Sequence, residues 1–273
     1  MRAVQSPLTG ALLMGERCCE RGAVKLDVVD DRVEDVDDRV AIAASIDSPQ
    51  RQRPGELYDS VRGIYYAKPV WRGWLHLVWF EVALVLGTVL IVNAHGAREM
   101  TAASIYAVGV AGLFGASALY HRGNWSPQWH ARLQRVDHTM IFVVIAATAT
   151  PAYLLAAAGT FGVVGLIVMW AATFAAVGLR MAWMDAPEPV VACALVAVSA
   201  VAAMVLPAVW IYAGTAPAVL LIVAGVLHAV GAISYQLRRP DPLPAVFGYH
   251  EVFHSYVCVA TACQYAAIGL FLL

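Results

Sequence analysis

The chain of 273 residues is 60% hydrophobic and only 14% charged, whereas an ordinary soluble domain is about 45–50% apolar and about 25% charged. Because one water-soluble core cannot hide so much apolar surface, this composition excludes a soluble enzyme and predicts a membrane protein. A net charge of −1 provides no basic field for nucleic acid, so we expect membrane lipids, and no nucleic acid, as partners.

The N-terminal segment, residues 1–60, differs from the rest in being polar. Residues 1–62 hold nine of the 18 lysines and arginines and 12 of the 19 acidic residues. The run from Asp27 to Val40, DVVDDRVEDVDDRV, is acidic and of low complexity. Such a segment buries too little apolar area to offset the entropy of ordering it. We therefore predict a disordered cytoplasmic tail over residues 1–60 and a membrane domain over residues 61–273.

Seven apolar segments follow the tail, each close to the ~20 residues with which a helix crosses a ~30 Å hydrocarbon core. We expect an all-α, polytopic membrane protein that forms a seven-transmembrane helix bundle. The segments run approximately over residues 73–94, 101–121, 136–157, 160–180, 188–208, 214–236 and 250–272.

Basic residues near the segment ends predict the orientation, because cytoplasmic loops are enriched in Lys and Arg. If the N-terminus is cytoplasmic, the outer side holds only Arg98. The inner side then holds eight basic residues: Lys68, Arg72, Arg122, Arg132, Arg135, Arg180, Arg238 and Arg239. We therefore expect a multi-pass protein of the cell membrane, with the N-terminus in the cytoplasm and the C-terminus outside.

Histidines recur inside or at the ends of the membrane segments, where ionisable groups are costly and usually functional. They are His76, His121, His138, His228, His250 and His254. His250 and His254 are four residues apart and so share one helix face. His121 ends the second segment, and Asp137 lies at the start of the third. In the predicted orientation these four side chains lie at the same depth, on the cytoplasmic side.

This constellation predicts a zinc site. Three imidazoles, from His121, His250 and His254, leave the fourth coordination position to water, as in hydrolytic rather than structural zinc sites. Zinc lowers the pKa of its bound water towards ~7, and we expect Asp137 to hold and deprotonate that water. Ser117 lies four residues before His121 and shares its face, so we expect it to orient a ligand or the water.

Other chemistries of a seven-helix protein fit less well. A retinal protein needs a lysine in the last helix, but the only lysines are Lys25 and Lys68, both before the first helix. The string His250-Glu251-x-x-His254 matches zinc metalloproteases, in which the glutamate is the general base. No His, Asp or Glu follows His254, so a third ligand would have to lie upstream, and we interpret Glu251 as an interfacial residue. The hypothesis of haem ligation by paired histidines has even less support, because the paired histidines share one helix face.

Six motifs together resemble the haemolysin III family, which is related to the progestin and adipoQ receptors and the alkaline ceramidases. In order they are RGWLH at 72–76, SALYH at 117–121, RVDH at 135–138, Thr150-Pro151, RRPDP at 238–242 and FGYHEVFH at 247–254. The resemblance covers roughly residues 60 to 273. It implies seven transmembrane helices and a zinc on the cytoplasmic side held by His121, His250 and His254, with Asp137 and Ser117 beside it.

The resemblance also implies a choice of functions. Its ceramidase relatives imply zinc-dependent hydrolysis of lipid amides such as ceramides, which is the activity we expect. The family name implies a cytolytic pore as an alternative, and a lipid-sensing receptor with a structural zinc is another.

Four features of the chain stand apart from these assignments. The sequence reads Ala147-Thr148-Ala149-Thr150-Pro151 where relatives tend to read Gly-Thr-Tyr-Thr-Pro. Gln264 stands where a histidine is common. Two further residues are particular to this chain, His228 and Glu81, and we expect Glu81 to be neutral or paired. The sequence leaves the substrate and the oligomeric state open.

Overall fold

The computed structural model describes residues 56–59, 64–157, 159–183 and 186–272, which form seven long helices and a short hairpin. In the hairpin, β1 (Glu56–Asp59) pairs with antiparallel β2 (Ile64–Ala67). The predicted disorder of residues 1–60 lies outside the described residues, apart from β1. Helices carry the fold, as predicted, and the hairpin is a small addition to the all-α architecture.

The seven helices correspond to the seven predicted apolar segments. They are α1 (Trp74–Asn93), α2 (Ala97–Arg122), α3 (Pro127–Ala156), α4 (Gly159–Ala182), α5 (Glu188–Ala213), α6 (Thr215–Leu237) and α7 (Tyr249–Leu272). Six of them, α1 to α6, are long and apolar enough to cross a membrane. With 24 residues α7 has a similar length, but its first turns carry three ionisable side chains, His250, Glu251 and His254.

Helix α3 begins at Pro127, well before the start at residue 136 that its apolar segment predicts. Proline suits the first turn of a helix, because no helical hydrogen bond needs its missing N–H. Residues 128–135, QWHARLQR, are polar but are mostly good helix formers, so the helix continues beyond the apolar layer. Asp137 therefore lies inside a helix, at the point where its sequence turns apolar, and not at the helix start.

The helices form a closed ring in which each packs against the next, and α7 packs against both α6 and α1. Helix α3 also contacts α5 and α7. Two apolar clusters fill the interior. One, around Tyr106 and Phe114, joins α1, α2, α3 and α7, and the other, around Tyr153 and Met169, joins α3 to α6. Large apolar side chains such as Val108 face outward, as expected for contact with lipid.

Gly109 marks a close approach of α2 and α3, since a Cβ built there would overlap the Cβ of Ala147. Small residues allow transmembrane helices to approach in this way. We expect Gly109→Ala to lower the free energy of unfolding by about 1–3 kcal/mol, because the helices must move apart. Gly225→Ala is the control, as no atom lies within 4 Å of a Cβ at that position. Thermal unfolding in detergent compares the two variants, and equal midpoints would contradict a tight contact at Gly109.

Candidate metal centre

Three histidine side chains converge where the end of α2 meets the start of α7. His121 lies in the last turn of α2, and His250 and His254 lie in the first two turns of α7. Each offers a ring nitrogen, and the three nitrogens all lie within 4.8 Å of one another. His121 and His254 are buried, and His250 is partly exposed. The structure thus brings together the three residues that the sequence selected as ligands.

A glycine at the entry to α1 allows the end of α2 to lie this close. Gly73 has a φ of +80°, in the left-handed region that favours glycine. A Cβ at Gly73 would lie 2.9 Å from the Cβ of His121 and 2.9 Å from the Cγ of Arg122. Any larger residue at Gly73 would therefore displace the turn of α2 that carries His121.

Asp137 and Ser117 lie beside the three histidines. The Oδ2 atom of Asp137 is 3.7 Å from the Nε2 atom of His121. Ser117 is buried one turn before His121 on α2, and its side chain lies close to the Asp137 carboxylate. The two residues predicted to be catalytic are therefore adjacent to each other and to the histidine cluster.

The donor set and its spacing suit zinc. Zinc binds imidazole nitrogen at about 2.0–2.1 Å, which places three nitrogens around a tetrahedral ion roughly 3.3 Å apart. Nitrogens that already lie within 4.8 Å of one another need only small side-chain rotations to share an ion. The residues present therefore fit a three-histidine zinc site whose fourth position is available to an outside ligand.

Glu251 is not the interfacial residue that the sequence suggested, because its side chain is fully buried. One carboxylate oxygen accepts a hydrogen bond from Nε of Arg72 at 2.5 Å. The other accepts one from the backbone N–H of Gly248 at 2.9 Å, which caps the start of α7. Since both oxygens are engaged, this geometry argues against Glu251 as the general base of a metalloprotease.

Arg72 joins the segment before α1 to the start of α7, and backbone hydrogen bonds strengthen the connection. The N–H groups of Val70 and Trp71 donate to the carbonyls of Ala245 and Val246 at 3.2 and 3.1 Å. Arg72 is itself buried. The ion pair and these bonds together fix the position of the helix turns that carry His250 and His254.

The end of the bundle at which α2 ends and α7 begins is positively charged. Lys68 lies near Arg72 and Arg122, and its partial burial together with these two cations lowers the pKa of Lys68. The Arg122 guanidinium lies 3.6 Å from the ring centroid of Trp74, on the outer surface. Such a surface attracts anionic lipid headgroups.

The remaining polar residues noted in the sequence do not belong to the group of converging ring nitrogens. The Nδ1 atom of His138 is 2.7 Å from Nη2 of Arg180, and Nδ1 of His228 is 2.9 Å from the carbonyl of Ala224 on its own helix. Glu81 is exposed on the outer face of α1, and no other residue of the described part of the chain pairs with it.

Gln264 and the altered segment of α3 meet each other, away from the histidines. The hydroxyl of Thr148 lies 3.5 Å from Oε1 of Gln264, which joins α3 to α7. Gln264 therefore contacts the altered segment of α3 through Thr148, a residue that this chain shares with the family pattern.

Sequence reasoning missed two residues of the site, Arg72 and His76. The ring of His76 stacks on the ring of His254, with centroids 3.7 Å apart. The sequence did carry a signal, because both residues belong to the RGWLH motif, but Arg72 precedes α1 and helical spacing does not relate it to His76. Their partners on α7 are too distant in the chain to be recognised by spacing.

A comparison with protein families matches residues 64–265 to the family model described as haemolysin-III related. The matched range includes every residue of the histidine cluster, together with Asp137, Ser117 and the Arg72–Glu251 pair.

Proposed function

The chain belongs to the haemolysin-III related family, and from this membership and the histidine cluster we propose that it is a zinc-dependent hydrolase of lipid amides. It is a multi-pass membrane protein with six apolar helices of spanning length. Lipid amides of the ceramide type are the substrates that the resemblance to alkaline ceramidases implies.

One observation carries this proposal. A carboxylate stands 3.7 Å from one member of a group of three imidazoles whose nitrogens converge within 4.8 Å. Structural zinc sites use four protein ligands, whereas hydrolytic sites use three and keep a carboxylate nearby for proton transfer. The set formed by His121, His250, His254 and Asp137 is of the second kind.

Each side chain has a role in the proposed hydrolysis. Zinc held by the three histidines would polarise the amide carbonyl and lower the pKa of a water. Asp137 holds the attacking water at Oδ2, takes up its proton and passes that proton to the nitrogen of the leaving amine as the C–N bond breaks. Ser117, which lies close to the carboxylate, would donate its hydroxyl hydrogen to it and so fix the carboxylate's direction. The apolar interior around these residues limits the access of bulk water.

We place the cluster at the cytoplasmic side of the cell membrane, with α7 as the seventh span, the N-terminus inside and the C-terminus outside. The excess of Lys and Arg at the ends of α2, α4 and α6 supports this orientation. A lipid of the inner leaflet would then present its amide at the interface, level with the helix ends that carry His121 and His250.

Asp137→Asn tests the proposal directly. Purified wild-type protein loaded with zinc is expected to hydrolyse at least one lipid in a panel of ceramides and other N-acyl lipids. Asp137→Asn should lower that rate at least ~100-fold, because the proton acceptor is lost, while the zinc content stays unchanged. Glu81→Gln is the matched control, since Glu81 lies on the outer face of α1, and it should keep the wild-type rate.

Two outcomes would contradict the proposal. The first is a zinc-loaded wild type that leaves the whole panel untouched, which would favour a lipid-sensing receptor with a structural zinc. The second is an Asp137→Asn variant as active as the wild type. A cytolytic pore has less support, because apolar side chains fill the interior of the described bundle. Dye release from liposomes that persists without His250 and His254 would favour the pore.

A further inference from the structure

His76 is a fourth histidine at the cluster, contributed by the first turn of α1. It is 3% exposed. The face of its ring lies parallel to the ring of His254, with an interplanar angle of 8°, and the Phe114 ring meets it edge-on at 5.0 Å. Its ring is therefore enclosed by a cluster histidine on one side and by an aromatic core residue on another.

Neither ring nitrogen of His76 has a hydrogen-bond partner among the residues that the structure describes. A neutral imidazole carries one donor and one acceptor, and leaving such groups unpaired in a buried place is destabilising. A phenylalanine would fill the same space and make the same ring contacts without that cost. Packing alone does not account for a histidine at this position.

Metal coordination does not account for it either. An ion bound to an imidazole lies close to the plane of that ring. Because the rings of His76 and His254 are parallel and stacked at 3.7 Å, an ion in the plane of His254 lies far from the plane of His76. The group of converging nitrogens accordingly contains His121, His250 and His254 and does not include His76.

We propose that His76 binds the polar head of the substrate, by a hydrogen bond from one ring nitrogen to the amide that reacts at the cluster. An amide offers one N–H donor and one carbonyl acceptor, and a ring nitrogen of a neutral imidazole can pair with either of them, as acceptor or as donor. This inference rests on the proposed function and adds a substrate-contacting residue to it. His76 lies beside His254, at the side of the cluster that faces α1, and there it orients the amide towards Asp137 and the three histidines.

The test uses the full-length protein with cobalt in place of zinc, and acetohydroxamate as the probe. Acetohydroxamate carries an amide-like N–H and carbonyl and binds metal, and its binding changes the visible spectrum of cobalt. His76→Phe should bind acetohydroxamate about tenfold more weakly, which corresponds to the loss of one hydrogen bond. Its metal content should equal that of the wild type, and its melting temperature should be equal or higher. His76→Gln should restore most of the affinity, because its amide can also donate and accept.

Two results would overturn the inference. If His76→Phe loses the metal, the role of His76 is to support metal coordination and not to bind the substrate. If the variant binds acetohydroxamate as tightly as the wild type does, His76 serves only as a packed core residue. His76→Met replaces His76→Phe as the apolar variant if the latter fails to fold. Failure of the proposed function is seen separately: wild-type protein would bind metal and probe yet hydrolyse no lipid amide, and the comparison of probe affinities would still decide the role of His76.

Discussion

Zinc is expected to fall from about one ion per chain to none when His250 and His254 are both replaced by alanine. The double variant keeps only His121, and a single imidazole cannot hold the ion against water. Hydrolysis of lipid amides should disappear with the metal. Elemental analysis of detergent-purified protein measures the first effect, and the lipid panel measures the second.

His228→Ala is the matched control for this loss. His228 is also a membrane histidine, but its Nδ1 faces the carbonyl of Ala224 and it lies outside the cluster. The His228→Ala variant should therefore contain as much zinc per chain as the wild type. A folded double variant that still contains stoichiometric zinc, or a folded wild type that never contains it, would refute the assignment of the site.

Removal of the metal by a chelator separates a catalytic role of zinc from a structural one. If the metal is catalytic, the bundle should remain folded after chelation, because its helices are joined by apolar clusters and by the Arg72–Glu251 pair. A structural zinc would contribute much of the folding free energy, so its removal would unfold the protein. Circular dichroism before and after chelation distinguishes these results.

Arg72→Met is expected to lower the free energy of unfolding by about 3–5 kcal/mol. The variant leaves the carboxylate of Glu251 buried without its cation, and the loss of a partner from a buried ion pair is far more costly than the loss of an exposed one. Thermal or denaturant unfolding in detergent measures the change. Zinc affinity should fall as well, because the first turns of α7 lose the ion pair that holds them to the segment before α1 and keep only the backbone hydrogen bonds.

Two further variants test this explanation. Arg72→Met combined with Glu251→Met should recover much of the lost stability, because no charge is then left unpaired. Arg122→Met makes the same substitution at an exposed arginine whose guanidinium lies over the ring of Trp74, and it should cost less than about 1 kcal/mol. If Arg72→Met and Arg122→Met lower the free energy of unfolding equally, the buried Arg72–Glu251 pair stabilises the fold no more than an exposed arginine does.

The helices and the three converging histidines could be predicted because both depend on local patterns. Apolar length identifies a span, and a four-residue spacing places His250 and His254 on one helix face. The common depth of His121 and Asp137 followed from the charge bias of the loops. These inferences needed no knowledge of how the helices pack.

The contacts that depend on packing could not be predicted. Glu251 pairs with Arg72, which lies 179 residues earlier in the chain. No local sequence pattern distinguishes a carboxylate in this role from one at the membrane surface. The stacking of His76 on His254 depends on which face of α1 meets α7. The early start of α3 was missed because the predicted bounds followed apolar composition, and a helix does not end where its sequence becomes polar.

The division of the cluster between α2 and α7 has a consequence for biogenesis. While the ribosome is still producing the first six helices, only His121 of the three histidines is in the membrane. The cluster is completed when α7 packs between α6 and α1 and closes the ring. A metal held by all three histidines would therefore bind only at the end of assembly, and under the proposed function a nascent chain that stalls before α7 is synthesised would have no hydrolytic activity.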